Sequence, residues 1–251
     1  MTAIKVEKQL ILACHITGNY DVNRNRTLPD DDFSLVQDWV NALIALPLHG
    51  IIFHNNFSES TCTLHQNKYV SFVRVEYDPQ FNPNVFRYLI YRDFLRVHAH
   101  AIESLFVTDV SDVVALNNPF SQALFSAHPE VLFCGDEPKR LNNPWMREHA
   151  AHLRSKIADY AAYESEFAES PLLNCGIIGG NIAVMRELID ALAFIHETYN
   201  RDNTTAYTGD MGAFNYVARI RFKERLWHGA PVNTVFKSYE TDRRDCWFRH
   251  K

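Results

Sequence analysis

The chain has 251 residues, of which 47% are hydrophobic and 22% are charged. This length and composition are typical of one large globular domain or two small ones, and they exclude an intrinsically disordered chain. The formal net charge of −5 offers no broad basic surface, so a dedicated nucleic-acid-binding protein is not expected.

Cysteine spacing and hydropathy indicate the cellular compartment of the protein. The five cysteines lie far apart and include no Cys-x-x-Cys pair, which favours reduced thiols over a disulfide framework or a zinc site. No apolar stretch approaches the roughly 20 residues that span a bilayer. We therefore expect a cytoplasmic protein without a transmembrane segment.

The first half of the chain alternates apolar runs typical of strands with segments whose apolar residues recur at helical spacing. In chain order we predict a strand at Gln9–Thr17, a helix from Phe33, strands at Gly50–Asn56 and Tyr69–Val75, a helix from Pro83 to His100 and a strand at Leu105–Thr108. Such alternation predicts a single α/β domain with a mostly parallel central sheet flanked by helices, in a Rossmann-like arrangement.

The second half of the chain is less regular. We predict, in order, a strand at Val131–Cys134, a mostly helical segment over Asn142 to Glu169, a glycine-containing strand at Leu172–Gly180, a helix after Ile182 and another after Gly209. The tail from Arg225 onwards is predicted to mix strand and loop.

Two carboxylates follow the strand that ends at Thr108. Asp109 and Asp112 stand where ligands bind in open α/β sheets, at the carboxyl end of a strand. Oxygen ligands of this kind suit Mg2+ or Mn2+, and a bound diphosphate supplies much of the remaining coordination. The pattern predicts a metal-diphosphate site. The alternative is that Asp112 caps the following turn and Asp109 is a solvated strand end.

Three motifs occur in an order that resembles the glycosyltransferases of the GT-A fold. They are Thr108-Asp-Val-Ser-Asp112, Asn174-Cys-Gly-Ile-Ile-Gly-Gly180 and Gly209-Asp-Met-Gly-Ala-Phe-Asn215. The likeness spans nearly the whole chain, although the usual signature of the family is Asp-x-Asp and two residues separate the carboxylates here. Methionine also stands at position 211 where some retaining members carry glutamine, so inversion and retention both stay open.

The resemblance implies an enzyme that moves a sugar from a nucleotide-diphosphate sugar, with a UDP-sugar favoured, to a glycan or other hydroxyl acceptor. It implies a nucleotide-sugar-binding half at residues 1–135, an acceptor-binding half at 136–251 and a Mn2+ or Mg2+ cofactor. The metal ligands implied are Asp109, Asp112 and His250, with His228 as the reserve histidine. The end of the sequence at His250-Lys251 is also compatible with a first domain of a longer protein.

Further residues are candidates for substrate contacts and for the base that accepts the acceptor proton. The candidate bases are Asp210, Asp136 and Glu137. The candidate contacts to the nucleotide sugar are His15, Thr17, Asn19, Asn55, Arg87, Arg92, Asp109, Asn174, Gly179 and Gly180. The simpler roles are a helix cap for Asp210, surface charge for an arginine, close packing for the glycines and a core or surface position for a histidine.

Three other functions compete with sugar transfer. A phosphatase that uses Asp109 as nucleophile fits poorly, because such enzymes place their acidic motif after the first strand. A sugar nucleotidyltransferase normally carries a glycine-rich basic loop after that strand, and Gly18–Arg26 contains one glycine and two arginines. In a non-catalytic sugar-binding module, Trp145, Trp227 and Trp247 stack on sugars and the carboxylates are structural.

Overall fold

The computed structural model describes residues 6–18, 20–21, 26–201 and 209–251. Its strands are β1 (Gln9–His15), β2 (Tyr20–Asp21), β3 (Arg26–Thr27), β4 (Gly50–His54), β5 (Val70–Arg74), β6 (Ser104–Thr108), β7 (Val113–Ala115), β8 (Leu132–Arg140), β9 (Pro171–Asn181), β10 (Leu226–His228) and β11 (Phe248–His250). Its α-helices are α1 (Gln37–Ala45), α2 (Glu59–His65), α3 (Pro83–His98), α4 (Ala123–Ala127), α5 (Pro144–His149), α6 (Ala151–Arg154), α7 (Tyr160–Glu166), α8 (Ile182–Tyr199) and α9 (Asp210–Arg221).

Seven strands form the central sheet in the order β10-β8-β9-β6-β1-β4-β5. Strand β1 pairs in parallel with both β4 and β6, and β4 with β5 and β8 with β10 are parallel as well. Strand β9 lies antiparallel to both of its neighbours, β6 and β8. The prediction of a mostly parallel central sheet flanked by helices is confirmed.

Both faces of the sheet are covered by helices and loops. Alternate residues of β1 point to opposite faces, so Leu12 packs in the core that contains α3 and α8, whereas Ile11 packs in a second core that contains α1. A strand that is buried on both faces has a continuous apolar sequence, which is why the β1 run was recognisable.

Two regions differ from the predicted elements. The helical segment predicted over residues 142–169 is divided into α5, α6 and α7, although no proline or glycine separates Trp145 from Glu166. Leu153 of α6 and Tyr160 of α7 both pack in the core, and tertiary packing of this kind can outweigh local helix propensity. Helix α2 was not predicted, and its signal is the Ser58 side chain, which accepts a hydrogen bond from the Thr61 N–H as an N-cap.

None of the helices within residues 6–18, 20–21, 26–201 and 209–251 has both the length and the apolar character needed to cross a membrane.

Candidate active site

Three side chains meet at the carboxyl end of β6, in the middle of the sheet. Asp109 directly follows β6, and Asp112 directly precedes β7. Strand β11 pairs antiparallel with β7 and sets His250 opposite Val113. The Nε2 atom of His250 lies 3.9 Å from Oδ2 of Asp109 and 3.9 Å from Oδ2 of Asp112. The structure thus brings the three predicted metal ligands together, and one ligand atom of each lies within 4.8 Å of the others.

The donor set and its surroundings are compatible with a divalent cation. Two carboxylates and an imidazole suit Mn2+ and related divalent ions. Burial lowers the pKa of His250 against the opposing effect of the two carboxylates, so its ring is neutral at pH 7 and can offer a lone pair. A Cβ on Gly176 would lie 2.5 Å from Cε1 of His250 and 2.8 Å from Oδ2 of Asp109. Strand β9 can approach this triad closely because residue 176 is glycine.

Positive charge adjoins the triad. The Lys251 Nζ atom lies 2.5 Å from Oδ2 of Asp112, and the Lys251 N–H donates to the Asp112 carbonyl oxygen. On the other side, the buried guanidinium of Arg87, from α3, forms an ion pair with Asp109. These cationic side chains make the site suitable for an anionic ligand such as a diphosphate.

Arg87 also connects the triad to a second acidic residue. Its Nη2 atom lies 3.7 Å from Oδ2 of Asp210, whose Oδ1 lies 2.7 Å from Nε2 of His149. Asp210 is the first residue of α9, and Gly209 occupies the N-cap position with a left-handed φ of 72°. Asp210 is therefore held by two basic side chains and is not the cap of its helix.

This environment determines the charge of Asp210. Burial alone would raise the pKa of its carboxyl, but the hydrogen bond with His149 and the charges of His149 and Arg87 outweigh burial and lower the pKa well below its usual range. Asp210 is consequently ionised at pH 7. A carboxylate with so low a proton affinity is better suited to accept hydrogen bonds from hydroxyl groups than to remove a proton.

A cleft of about 420 Å³ contains both groups of residues. The triad, Arg87 and Asp210 line it together with Glu137 and Asn174. The Asn174 amide donates to Oε1 of Glu137 at 2.8 Å, and its Oδ1 accepts from the Gly176 N–H at 2.7 Å. The cleft is therefore rich in fixed acceptors and charges, as expected for a polar substrate.

Several predicted site residues lie away from this cleft. Asp136 pairs with Nδ1 of His228 at 2.9 Å and faces a neighbouring depression. Arg92 forms an ion pair with Glu197 on the outer side of α3 and α8. Gly179 packs against the Phe106 ring, where a Cβ would lie 2.2 Å from the nearest ring carbon, and Gly180 packs against Val184.

The predicted nucleotide contacts near β1 and β4 form a network of their own. The Thr17 N–H donates to Oδ1 of Asn55 at 2.9 Å, and the Asn55 amide donates back to the Thr17 carbonyl oxygen at 3.0 Å. His15 is buried and stacks on Phe57 at 5.0 Å. None of these three side chains lines the cleft, and Asn19 lies outside the described residues.

Several residues that line the cleft were not predicted as site residues, and His149 and Lys251 are two of them. His149 contacts Asp210 across 61 positions of the chain, and no local motif marks such a contact. Lys251 could have been noticed because it directly follows the predicted ligand His250.

No protein-family profile matches the sequence, and a search of curated protein sequences finds no significantly similar protein.

Proposed function

We propose that the protein is a metal-assisted glycosyltransferase. Its donor is a nucleotide-diphosphate sugar, with a UDP-sugar favoured, and its acceptor is a hydroxyl group of a glycan or glycoconjugate. The observation that carries the proposal is the convergence of Asp109, Asp112 and His250 with Lys251 and Arg87 at one end of a polar cleft.

The reaction breaks the bond between the anomeric carbon and the diphosphate oxygen, and the electron pair leaves with the diphosphate. A new bond forms between the anomeric carbon and the acceptor oxygen, whose proton passes to a base. A divalent ion bound by the triad would supply positive charge at the phosphate oxygens as negative charge develops there. Lys251 and Arg87 contribute fixed positive charge from the protein at the same end of the cleft.

The acidic residues of the cleft have two further roles, to bind sugar hydroxyls and to accept the acceptor proton. Asp210 is ionised and held in place, so it can accept hydrogen bonds from sugar hydroxyls. Glu137 lines the same cleft and is our preferred candidate for the base. Among the described residues its basic partner is Lys139, whose Nζ lies 3.5 Å from Oε2 of Glu137, and not a buried arginine. Asp136 and Asp210 are the less favoured candidates, because Asp136 faces the neighbouring depression and Asp210 has a low proton affinity.

Nucleotide-sugar cleavage tests the proposal. The protein is incubated with UDP-glucose, UDP-galactose, UDP-N-acetylglucosamine or GDP-mannose, with either Mn2+ or EDTA, and release of the nucleoside diphosphate is measured. We expect release with Mn2+ and little with EDTA. Asp112→Ala should lower the rate by about a hundredfold or more, since it removes a ligand of the charge-stabilising metal.

The matched control is Asp38→Ala, which removes an exposed carboxylate from α1 and should leave the rate unchanged. Circular dichroism establishes that the Asp112→Ala protein is folded. Equal release with Mn2+ and EDTA, or a near-normal rate for folded Asp112→Ala, would contradict the proposed role of the metal.

A further inference from the structure

We infer that Trp145 forms the stacking surface of an acceptor subsite, and that the acceptor is a pyranose saccharide. This inference rests on the proposed function and specifies its acceptor.

The four tryptophans of the chain all lie in its described part, and they differ sharply in position. Trp39 and Trp247 are buried in the core at 2% and 1% exposure. Trp227 and Trp145 are similarly exposed, at 39% and 42%. Of these two, Trp145 lines the cleft and Trp227 does not. Trp145 thus places an accessible aromatic ring beside the candidate site.

The Trp145 ring is held in a fixed orientation. Its indole stacks on the His149 ring, with 4.4 Å between the centroids and 21° between the planes. His149 is itself buried and is bound to Asp210 at 2.7 Å. Because His149 covers one indole face, the exposed area belongs to the other face and the ring edge. An aromatic surface that is already fixed loses little conformational entropy when a ligand stacks on it.

The position of Trp145 favours the acceptor over the nucleotide. A continuous series of contacts leads from the triad through Asp109, Arg87, Asp210 and His149 to Trp145. The diphosphate belongs at the triad, where the cationic side chains lie. Trp145 stands at the end of this series that is away from the triad, and we assign that end of the cleft to the acceptor.

The chemistry of this end of the cleft matches a pyranose. The C–H groups on one face of a pyranose carry partial positive charge and are attracted to the negative face of an indole. Its hydroxyl groups require acceptors beside that surface, and the carboxylates of Asp210 and Glu137 line the same cleft. An alkyl chain would leave these ionised acceptors without hydrogen-bond donors.

Saturation-transfer NMR tests the inference with lactose, maltose and cellobiose at millimolar concentration, in the presence of UDP and Mn2+. We expect at least one disaccharide to bind the native protein. Trp145→Ala should weaken that binding by about tenfold, and Trp145→Phe should retain part of it, because a stacked ring contributes about that factor. Trp227→Ala is the control for an equally exposed tryptophan outside the cleft and should bind as the native protein does.

The inference is overturned if none of the three disaccharides binds, or if folded Trp145→Ala binds as tightly as the native protein. Mn2+-dependent UDP binding is measured in the same samples. UDP binding without Trp145-dependent saccharide binding would contradict this inference and leave the proposed donor site intact. Saccharide binding through Trp145 without any nucleotide binding would contradict sugar transfer and indicate a non-catalytic sugar-binding module.

Discussion

Gly176 determines how closely β9 approaches the candidate metal ligands. We predict that Gly176→Ala weakens Mn2+ binding by about tenfold or more, because substitution of residues that orient metal ligands typically lowers metal affinity by that factor. The added methyl group would lie 2.5 Å from Cε1 of His250 and 2.8 Å from Oδ2 of Asp109. Electron paramagnetic resonance of free Mn2+ measures the affinity.

Gly135→Ala is the matched control for this substitution. A Cβ at Gly135, on β8, would find its nearest neighbouring atom at 3.5 Å, which is an ordinary contact distance. This variant should bind Mn2+ as the native protein does. If both alanine variants bind Mn2+ equally well, the described position of the triad against β9 is wrong.

A second prediction concerns the charge of Asp210. Replacement by Asn preserves the volume of the side chain but removes the charge that Arg87 and His149 share. We predict that transfer falls by about a hundredfold while nucleotide affinity stays the same, because the sugar hydroxyls lose an ionised hydrogen-bond acceptor. Loss of a buried ion pair should also lower the free energy of unfolding, by about 3 kcal/mol.

Single-turnover kinetics and nucleotide titration separate these effects. A loss of nucleotide affinity would assign Asp210 to the donor site. Unchanged transfer would show that Asp210 has only a structural role. Glu137→Gln is the variant that tests the preferred base.

At the level of elements, strand order was less predictable than strand existence. Apolar runs identified the main strands, but a run that is buried on both faces carries no sign of its direction. Strand β9 is antiparallel to β6, and this direction brings Gly176 to Asp109, whose N–H donates to the Gly176 carbonyl oxygen at 2.8 Å. The sequence predicted that Asn174, Gly179 and Gly180 contact the nucleotide sugar, but not that β9 brings Gly176 against Asp109.

Contacts between elements explain which site residues were predicted. Asp109 and Asp112 follow a recognisable strand, so their position at the sheet edge could be deduced from the sequence. Thr17 and Asn55 also follow strands, yet they form hydrogen bonds with each other. Hydrogen bonding between neighbouring loops cannot be predicted from residue type. His149 reaches Asp210 through the packing of α5 against α9, which no local pattern encodes.

The packing of α8 against α3 makes a prediction about pH. His196 of α8 is fully buried, stacks on Tyr88 of α3 at 5.4 Å, and burial lowers its pKa to about 3. Its pKa in the unfolded chain is about 6.5, so unfolding takes up a proton below that pH. The stabilising effect of the neutral ring is complete above pH 6.5 and is lost as the pH falls towards 3.

We therefore predict that His196 alone makes the native protein about 2 kcal/mol less stable at pH 5 than at pH 7.5. Urea unfolding at the two pH values measures this change, and His196→Gln should show a correspondingly smaller one. Burial also lowers the pKa of His54, to about 4, but His54 is present in both proteins and its contribution cancels in the comparison. An identical pH dependence in the two proteins would show that His196 is not buried as described.

At the scale of the whole molecule, the candidate site depends on segments from both halves of the chain. Asp109 and Asp112 come from the first half, whereas Gly176, Asp210 and His250 come from the second. Strand β11 holds His250 in place because Trp247 and Phe248 are buried in the core that also contains α1. Binding at the triad therefore joins distant segments of the folded chain and should stabilise the native state.

Metal-dependent binding of UDP tests this account most directly. The free energy of unfolding is measured for the native protein with UDP and Mn2+, with UDP and EDTA, and with Mn2+ alone. With ligand at a hundred times its dissociation constant, we predict a gain of about 2.7 kcal/mol with UDP and Mn2+ together. The gain should be much smaller with EDTA, and absent in Asp112→Ala. Equal stabilisation by UDP with Mn2+ and with EDTA would contradict the metal-diphosphate site and indicate a basic pocket that needs no metal.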